Sequence, residues 1–137
     1  MKKFISAIVL LGSLSLAITA CVSVNSPSSS LNISMTDFTF NPNIYTIRAG
    51  ETIILELVNN GAVEHEFVIM KFNTEVGDNF GDDDQENIYW EAELGSGESG
   101  TFSFTAPSDP GEYQIVCGTE GHYLAGMSGS LTIVASE

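Results

Sequence analysis

Near its C-terminal end the chain reads Cys117-Gly118-Thr119-Glu120-Gly121-His122-Tyr123-Leu124-Ala125-Gly126-Met127. One stretch of 11 residues therefore supplies a thiol, an imidazole and a thioether, and its three glycines let the backbone curl around a point. The only other imidazole in the chain is His65. Soft sulfur combined with imidazole is a ligand set for copper, and two His with one Cys and a weak axial Met is the set that cycles between Cu(I) and Cu(II). Thiolate and thioether favour Cu(I), imidazole accepts Cu(II), and a rigid compromise keeps reorganisation small as an electron arrives or leaves. Each residue alone has an ordinary reading: His65 a satisfied core histidine, Cys117 a small buried hydrophobe, Met127 a gap filler, His122 a surface residue. Their joint spacing favours the metal reading, with His65, Cys117, His122 and Met127 as candidate ligands of one copper ion.

The same count of residues limits other chemistries. Two His and two Cys cannot build a zinc finger, an iron–sulfur cluster or a multi-disulfide framework. They cannot supply the second copper of a nitrite reductase or the trinuclear cluster of a multicopper oxidase. A Cys/His nucleophile pair is chemically possible, but Met127 has no role in it, so no enzymatic activity is expected. Copper handling without redox turnover, as a chaperone or store, is the alternative. Such proteins use exchangeable Met/His-rich sites, whereas this chain holds 4 Met, at 1, 35, 70 and 127.

The elements that position these residues alternate with period 2 from Leu31 onward. Phe38 and Phe40 flank Thr39; Ile53, Leu55 and Leu57 alternate with Thr52, Ile54, Glu56 and Val58; Phe102 and Phe104 alternate with Thr101, Ser103 and Thr105; Leu131 and Ile133 alternate with Ser130 and Thr132. Turn residues separate the runs, at Asn41-Pro42-Asn43, Asn59-Asn60-Gly61, Gly95 to Gly100 and Pro107 to Gly111. Short strands without helical crossovers read as an all-β, antiparallel sandwich or barrel. By parity His65 shares a face with Phe67 and Ile69, and Cys117 with Tyr113 and Ile115. Both point inward at the end of a strand, where an unpartnered imidazole and thiol are costly and a shared metal removes the difficulty. Residues 73–93 break the rhythm with Glu75, Asp78, Asp82, Asp83, Asp84, Glu86, Glu91 and Glu93. They read as an acidic, solvated loop inserted between strands, with a short helical turn. Their spacing does not fit an EF-hand calcium loop.

The chain resembles the cupredoxins, the blue copper proteins, over roughly Leu31 to Ala135. The resemblance rests on Phe40-Asn41-Pro42, Ile47-Arg48-Ala49-Gly50-Glu51, Leu55 to Gly61, His65-Glu66-Phe67-Val68-Ile69, Gly111-Glu112-Tyr113 to Cys117, Gly121-His122, Gly126-Met127 and Gly129. The Cys-x4-His-x4-Met spacing is similar to that of auracyanins and sulfocyanins and longer than that of plastocyanins. The resemblance implies a Greek-key β-sandwich with the metal near one end. It implies that His65, Cys117 and His122 form a trigonal copper plane with Met127 axial, and that electrons pass through the exposed side of His122. One departure stands out: many relatives carry Asn after the first ligand His, where this chain has Glu66. An ionised carboxylate cannot donate a hydrogen bond, so support around the Cys sulfur is expected from elsewhere, with Asn59 and Asn60 the available residues.

At the other end, Met1-Lys2-Lys3 is a basic start and Phe4 to Ala17 an apolar run too short to span a bilayer comfortably. Ile18-Thr19-Ala20-Cys21 resembles the lipobox of bacterial lipoproteins. Residues 1–20 are therefore expected to be a signal peptide, Cys21 a lipidation site, 21–30 a Ser-rich tether and 31–137 the domain. The expected product is exported and lipid-anchored to the outer face of a membrane, in the cell envelope or periplasm. With Cys21 lipidated, Cys117 has no disulfide partner. The 137-residue chain has 4 basic and 18 acidic residues; without Lys2 and Lys3 the balance is 2 − 18, or −16. Such a chain repels phosphate backbones, so no nucleic-acid partner is expected. The expected partners are redox proteins, a donor and an acceptor, met by a monomer.

Overall fold

The computed structural model describes residues 26–136. Cys21, the segment read as a signal peptide and the first part of the tether lie outside the described residues. Among the described residues nine strands form two sheets. In chain order they are β1 (Ser30–Thr36), β2 (Thr39–Asn41), β3 (Ile44–Arg48), β4 (Thr52–Asn59), β5 (His65–Met70), β6 (Ile88–Leu94), β7 (Ser99–Thr105), β8 (Gly111–Cys117) and β9 (Ser128–Val134). A four-stranded sheet runs β2-β1-β4-β7 and a five-stranded sheet runs β3-β9-β8-β5-β6. The chain passes repeatedly from one sheet to the other, and the result is the expected β-sandwich.

Period-2 patterning produces the core directly. Along β4 burial alternates without exception, with Ile53, Leu55, Leu57 and Asn59 inward and Thr52, Ile54, Glu56 and Val58 outward. Against them lie Phe67 and Ile69 of β5, Phe104 of β7, Tyr113 and Ile115 of β8, and Leu131 and Ile133 of β9. Phe67 meets Phe40 and Tyr45 edge to face, at centroid separations of 5.2 and 6.1 Å.

Four local expectations differ from the structure. The antiparallel reading holds for most ladders, but β1–β4 and β3–β9 are parallel. Each of these pairs is joined through the opposite sheet, and side-chain alternation carries no information on strand direction. Phe38 is not on a strand with Phe40. Asp37 and Phe38 form the turn between β1 and β2, and Phe38 has a left-handed φ of 67°. The Ser-rich segment is docked earlier than residue 31: the Ser28 N–H donates to Thr46 O at 3.0 Å, the Ile54 N–H donates to Ser29 O at 2.9 Å, and Ser30 opens β1.

The fourth difference concerns the acidic insertion. It contains a 3-10 turn at Asp82–Asn87 with no buried residue, and then becomes strand β6 at the sheet edge. Before that turn, Val76 and Phe80 cover Val68, Met70 and Val116 on the outer face of the five-stranded sheet. This second small core explains why β5 is buried on both faces beyond Glu66. Among the described residues no helix is long and apolar enough to cross a membrane.

Candidate metal centre

The register of β5 and β8 brings the first two donors together. Phe67 lies directly opposite Cys117. His65, two residues back on the same face, is therefore a diagonal neighbour of the thiol, within reach of long side chains. The loop after Cys117 then closes on itself. The His122 N–H donates to Thr119 O (3.1 Å), the Ala125 N–H to Gly121 O (3.0 Å) and the Gly126 N–H to Tyr123 O (2.8 Å). Gly121 and Gly126 adopt φ of 78° and 102°, a region that L side chains rarely enter. At the neck, the Met127 N–H donates to His122 O at 3.0 Å and the Cys117 N–H to Met127 O at 3.1 Å. Backbone hydrogen bonds thus tie Met127, itself fully buried, to both Cys117 and His122.

The side chains converge. Nδ1 of His65 lies 3.1 Å from Nδ1 of His122; the Cys117 Sγ lies 3.5 Å from His122 Nδ1 and 3.9 Å from His65 Nδ1. All three residues are buried, and among the described residues they are the group of His, Cys, Asp or Glu side chains able to hold a metal ion. Nitrogen and sulfur donors about 2.0–2.3 Å from a common ion sit about 3–4 Å from one another, so the observed separations fit one ion between them. Burial lowers the His122 pKa first, the neighbouring His65 lowers it further, and Asp37 partly opposes the shift. A lowered pKa keeps the imidazole neutral and its lone pair free for a metal. The acidic insertion brings no comparable group together.

A third segment reaches the site. The Asp37-Phe38 turn places the Asp37 Oδ1 3.2 Å from His65 Nε2, and the same oxygen accepts the Ala62 N–H at 3.0 Å. Phe38 stands edge-on to the His122 ring, with centroids 5.2 Å apart and planes at 87°. Sequence reading missed both residues, because Phe38 and Phe40 fit strand parity. The available signal was a lone Asp between two strand-like runs.

Asn59, offered by the sequence as support for the Cys117 sulfur, instead braces the segment that leads into His65. It is fully buried. Its Nδ2 donates to Val63 O and Leu94 O, each at 2.8 Å, and its Oδ1 accepts the Gly61 N–H at 2.8 Å. Asn60 instead donates to the Ser34 hydroxyl at the surface. The Thr119 hydroxyl donates to Glu64 O at 3.2 Å, joining the two ligand-bearing loops. The Glu66 carboxyl packs over the α-carbon of Gly118, where a side chain would collide with it. Its pKa is pushed up to about 7, by burial first and then by the charge and hydrogen bond of Glu91, with Glu93 and Glu64 adding to the shift. A carboxyl that keeps its proton near neutrality can donate a hydrogen bond, as the expected ionised form cannot.

The sequence profile of the cupredoxin-like domain matches residues 4–133. The chain belongs to the cupredoxin-like family. This cupredoxin is 33% identical over 104 residues to auracyanin-B of Chloroflexus aurantiacus, an alignment covering 64% of this chain and 44% of that protein. It therefore spans less than half the length of that relative. Among solved structures it resembles the dithionite-reduced auracyanin of Roseiflexus castenholzii, with a TM-score of 0.66 and 28% identity over 80% of this chain and 99% of that one. Auracyanin A of Chloroflexus aurantiacus, described as a "blue" copper protein, gives a TM-score of 0.62 and 27% identity over 80% of this chain and 100% of that one.

Proposed function

We propose that this cupredoxin carries single electrons through one copper ion held by His65, Cys117 and His122, with Met127 as the weak axial donor. The observation that carries the proposal is the convergence at 3.1–3.9 Å of one buried thiol and two buried imidazoles, the thiol and His122 on a loop closed by backbone hydrogen bonds and His65 on β5. Similarity to auracyanins, one of them described as a blue copper protein, supports it. Bound there, copper supplies a Cu(I)/Cu(II) couple. The chain's own residues hold the donor atoms in place, exclude water from the thiol and present the rim of the site to a partner.

That rim is apolar. His122 is the least buried of the three donors, at 9% exposed; Phe38, whose ring meets it, is 47% exposed, and Val63 and Leu124, two residues from His65 and His122 along the chain, are 46% and 70% exposed. Tyr123 turns back instead, accepting a hydrogen bond from the Gln114 amide and donating to Val76 O. In this proposal Phe38, Val63 and Leu124 make the final contact with a donor or acceptor protein. The acidic surface steers the approach of basic partners at long range. The protein is exported, held to the outer face of a membrane by lipid on Cys21, and works as a monomer. A closed site of this kind is poorly suited to handing copper on, which favours a carrier over a chaperone or store. Stopped-flow reduction of the copper-loaded full-length protein by a redox protein, with Leu124→Glu as comparison, tests the role of the rim. Transfer slowed in the variant at every ionic strength supports the proposal; unchanged transfer contradicts it.

A further inference from the structure

We propose that Asp37 is a positioning residue for this centre: its carboxylate accepts the Nε2–H of His65 and so commits Nδ1, the other ring nitrogen, to the metal. The inference rests on the copper reading above and adds to it a residue from a third segment of the chain.

Three observations carry it. First, the two ring nitrogens of His65 have separate addresses. Nε2 is 3.2 Å from Asp37 Oδ1, while Nδ1 faces His122 Nδ1 at 3.1 Å and Cys117 Sγ at 3.9 Å. A carboxylate only accepts, so the proton belongs on Nε2 and the lone pair on Nδ1 points into the site. Second, Asp37 is itself fixed. It sits in the tight turn between β1 and β2, and the Ala62 N–H holds the same oxygen at 3.0 Å. Third, the backbone is cleared for the contact. A Cβ on Gly61 would lie 2.5 Å from both Asp37 Oδ1 and His65 Nε2, so any side chain there drives the pair apart. Asn59 holds the Gly61 N–H from the other side at 2.8 Å. A fixed carboxylate on the far nitrogen orients the ring and raises its basicity as a ligand, and loss of such a partner typically lowers metal affinity 10–100-fold.

The test uses the full-length protein in wild-type, Asp37→Ala, Asp37→Asn and Gly61→Ala forms. In the metal-free proteins, long-range proton–nitrogen NMR spectra report the His65 tautomer. The wild type should show Nε2 protonated and Nδ1 bare, and Asp37→Ala and Gly61→Ala a mixture. Asp37→Asn keeps an accepting oxygen and should fall between them. In the copper-loaded proteins, chelator competition should show Cu(II) affinity about 10–100-fold lower in the Ala variants. The reduction potential should rise, because a more basic imidazole favours Cu(II); a tenfold greater loss for Cu(II) than for Cu(I) reads as about 59 mV. Gly61→Ala matters because Asp37 is still present in it, and both it and Asp37→Asn carry the test where Asp37→Ala folds poorly. A wild-type tautomer, affinity and potential in both Ala variants overturns the role of Asp37. A wild type that binds no copper overturns the copper reading instead, and the metal-free tautomer then still decides whether Asp37 orients the ring.

Discussion

Replacing Phe38 by Asn separates backbone strain from function at the rim of the centre. Phe38 holds a left-handed φ of 67° with its side chain 47% exposed and its ring edge-on to His122 at 5.2 Å. An L residue in that region costs about 1–2 kcal/mol, and Asn tolerates it far better than a bulky aromatic. Against this relief stands the lost packing. Burying half of a phenylalanine is worth about 1 kcal/mol, and an edge-to-face aromatic pair adds about 0.5–1.5 kcal/mol. The two sides nearly cancel, so Phe38→Asn should lie within about 1 kcal/mol of wild type in urea unfolding. Phe67→Ala is the reference. Phe67 is 1% exposed between Phe40 and Tyr45, and its loss should cost about 3–5 kcal/mol. Electron transfer should respond differently, because Phe38→Asn removes an exposed apolar contact beside His122 and should slow it. A penalty above about 2.5 kcal/mol for Phe38→Asn would refute the strain argument. An unchanged transfer rate would refute the place of Phe38 in the rim.

Met127→Leu should keep the copper chromophore and raise the reduction potential, and Met127→Gln should lower it, by voltammetry; no movement in either would remove Met127 as the axial donor. Neutralising Asp82, Asp83 and Asp84 to Asn should slow reduction by a basic cytochrome at low salt and have little effect at high salt, since exposed charges are screened within roughly 8 Å at physiological ionic strength. Salt-independent wild-type rates would confine the acidic surface to solubility. The full-length protein expressed in a bacterium should partition into detergent and Cys21→Ser should not, with mass spectrometry of the mature N-terminus reporting the lipid. Gly129→Ala should destabilise the fold by about 1–3 kcal/mol, because its Cβ would lie 2.5 Å from Asn43 O and push β3 from β9.

The sandwich was legible in the sequence because most strands, β5 excepted, bury mainly one face, in the core between the sheets, so alternation reports burial directly. Ile53, Leu55 and Leu57 on β4 show this most clearly. Cys117, His122 and Met127 were legible because one loop carries all three, and His65 because strand parity turned it inward. Strand direction was hidden, since parallel and antiparallel partners alternate alike. Asp37 was hidden for another reason: its contact with His65 spans 28 residues and depends on a turn whose Phe38 mimics a strand residue. The acidic stretch at 73–93, read as a solvated loop, misled by composition. Apart from half-buried Asp84, its charges are exposed as expected, but Val76 and Phe80, two apolar residues among many polar ones, anchor it to the outer face of β5 and β8.

The visible absorption and EPR spectra of the full-length protein titrated with Cu(II) test the central claim most directly. One equivalent should bind and give an intense colour from thiolate-to-copper charge transfer. Cys117→Ser should abolish that colour, because a hydroxyl is a far poorer ligand than a thiolate. A colourless wild type that prefers zinc, or a colour that survives in Cys117→Ser, would contradict the account.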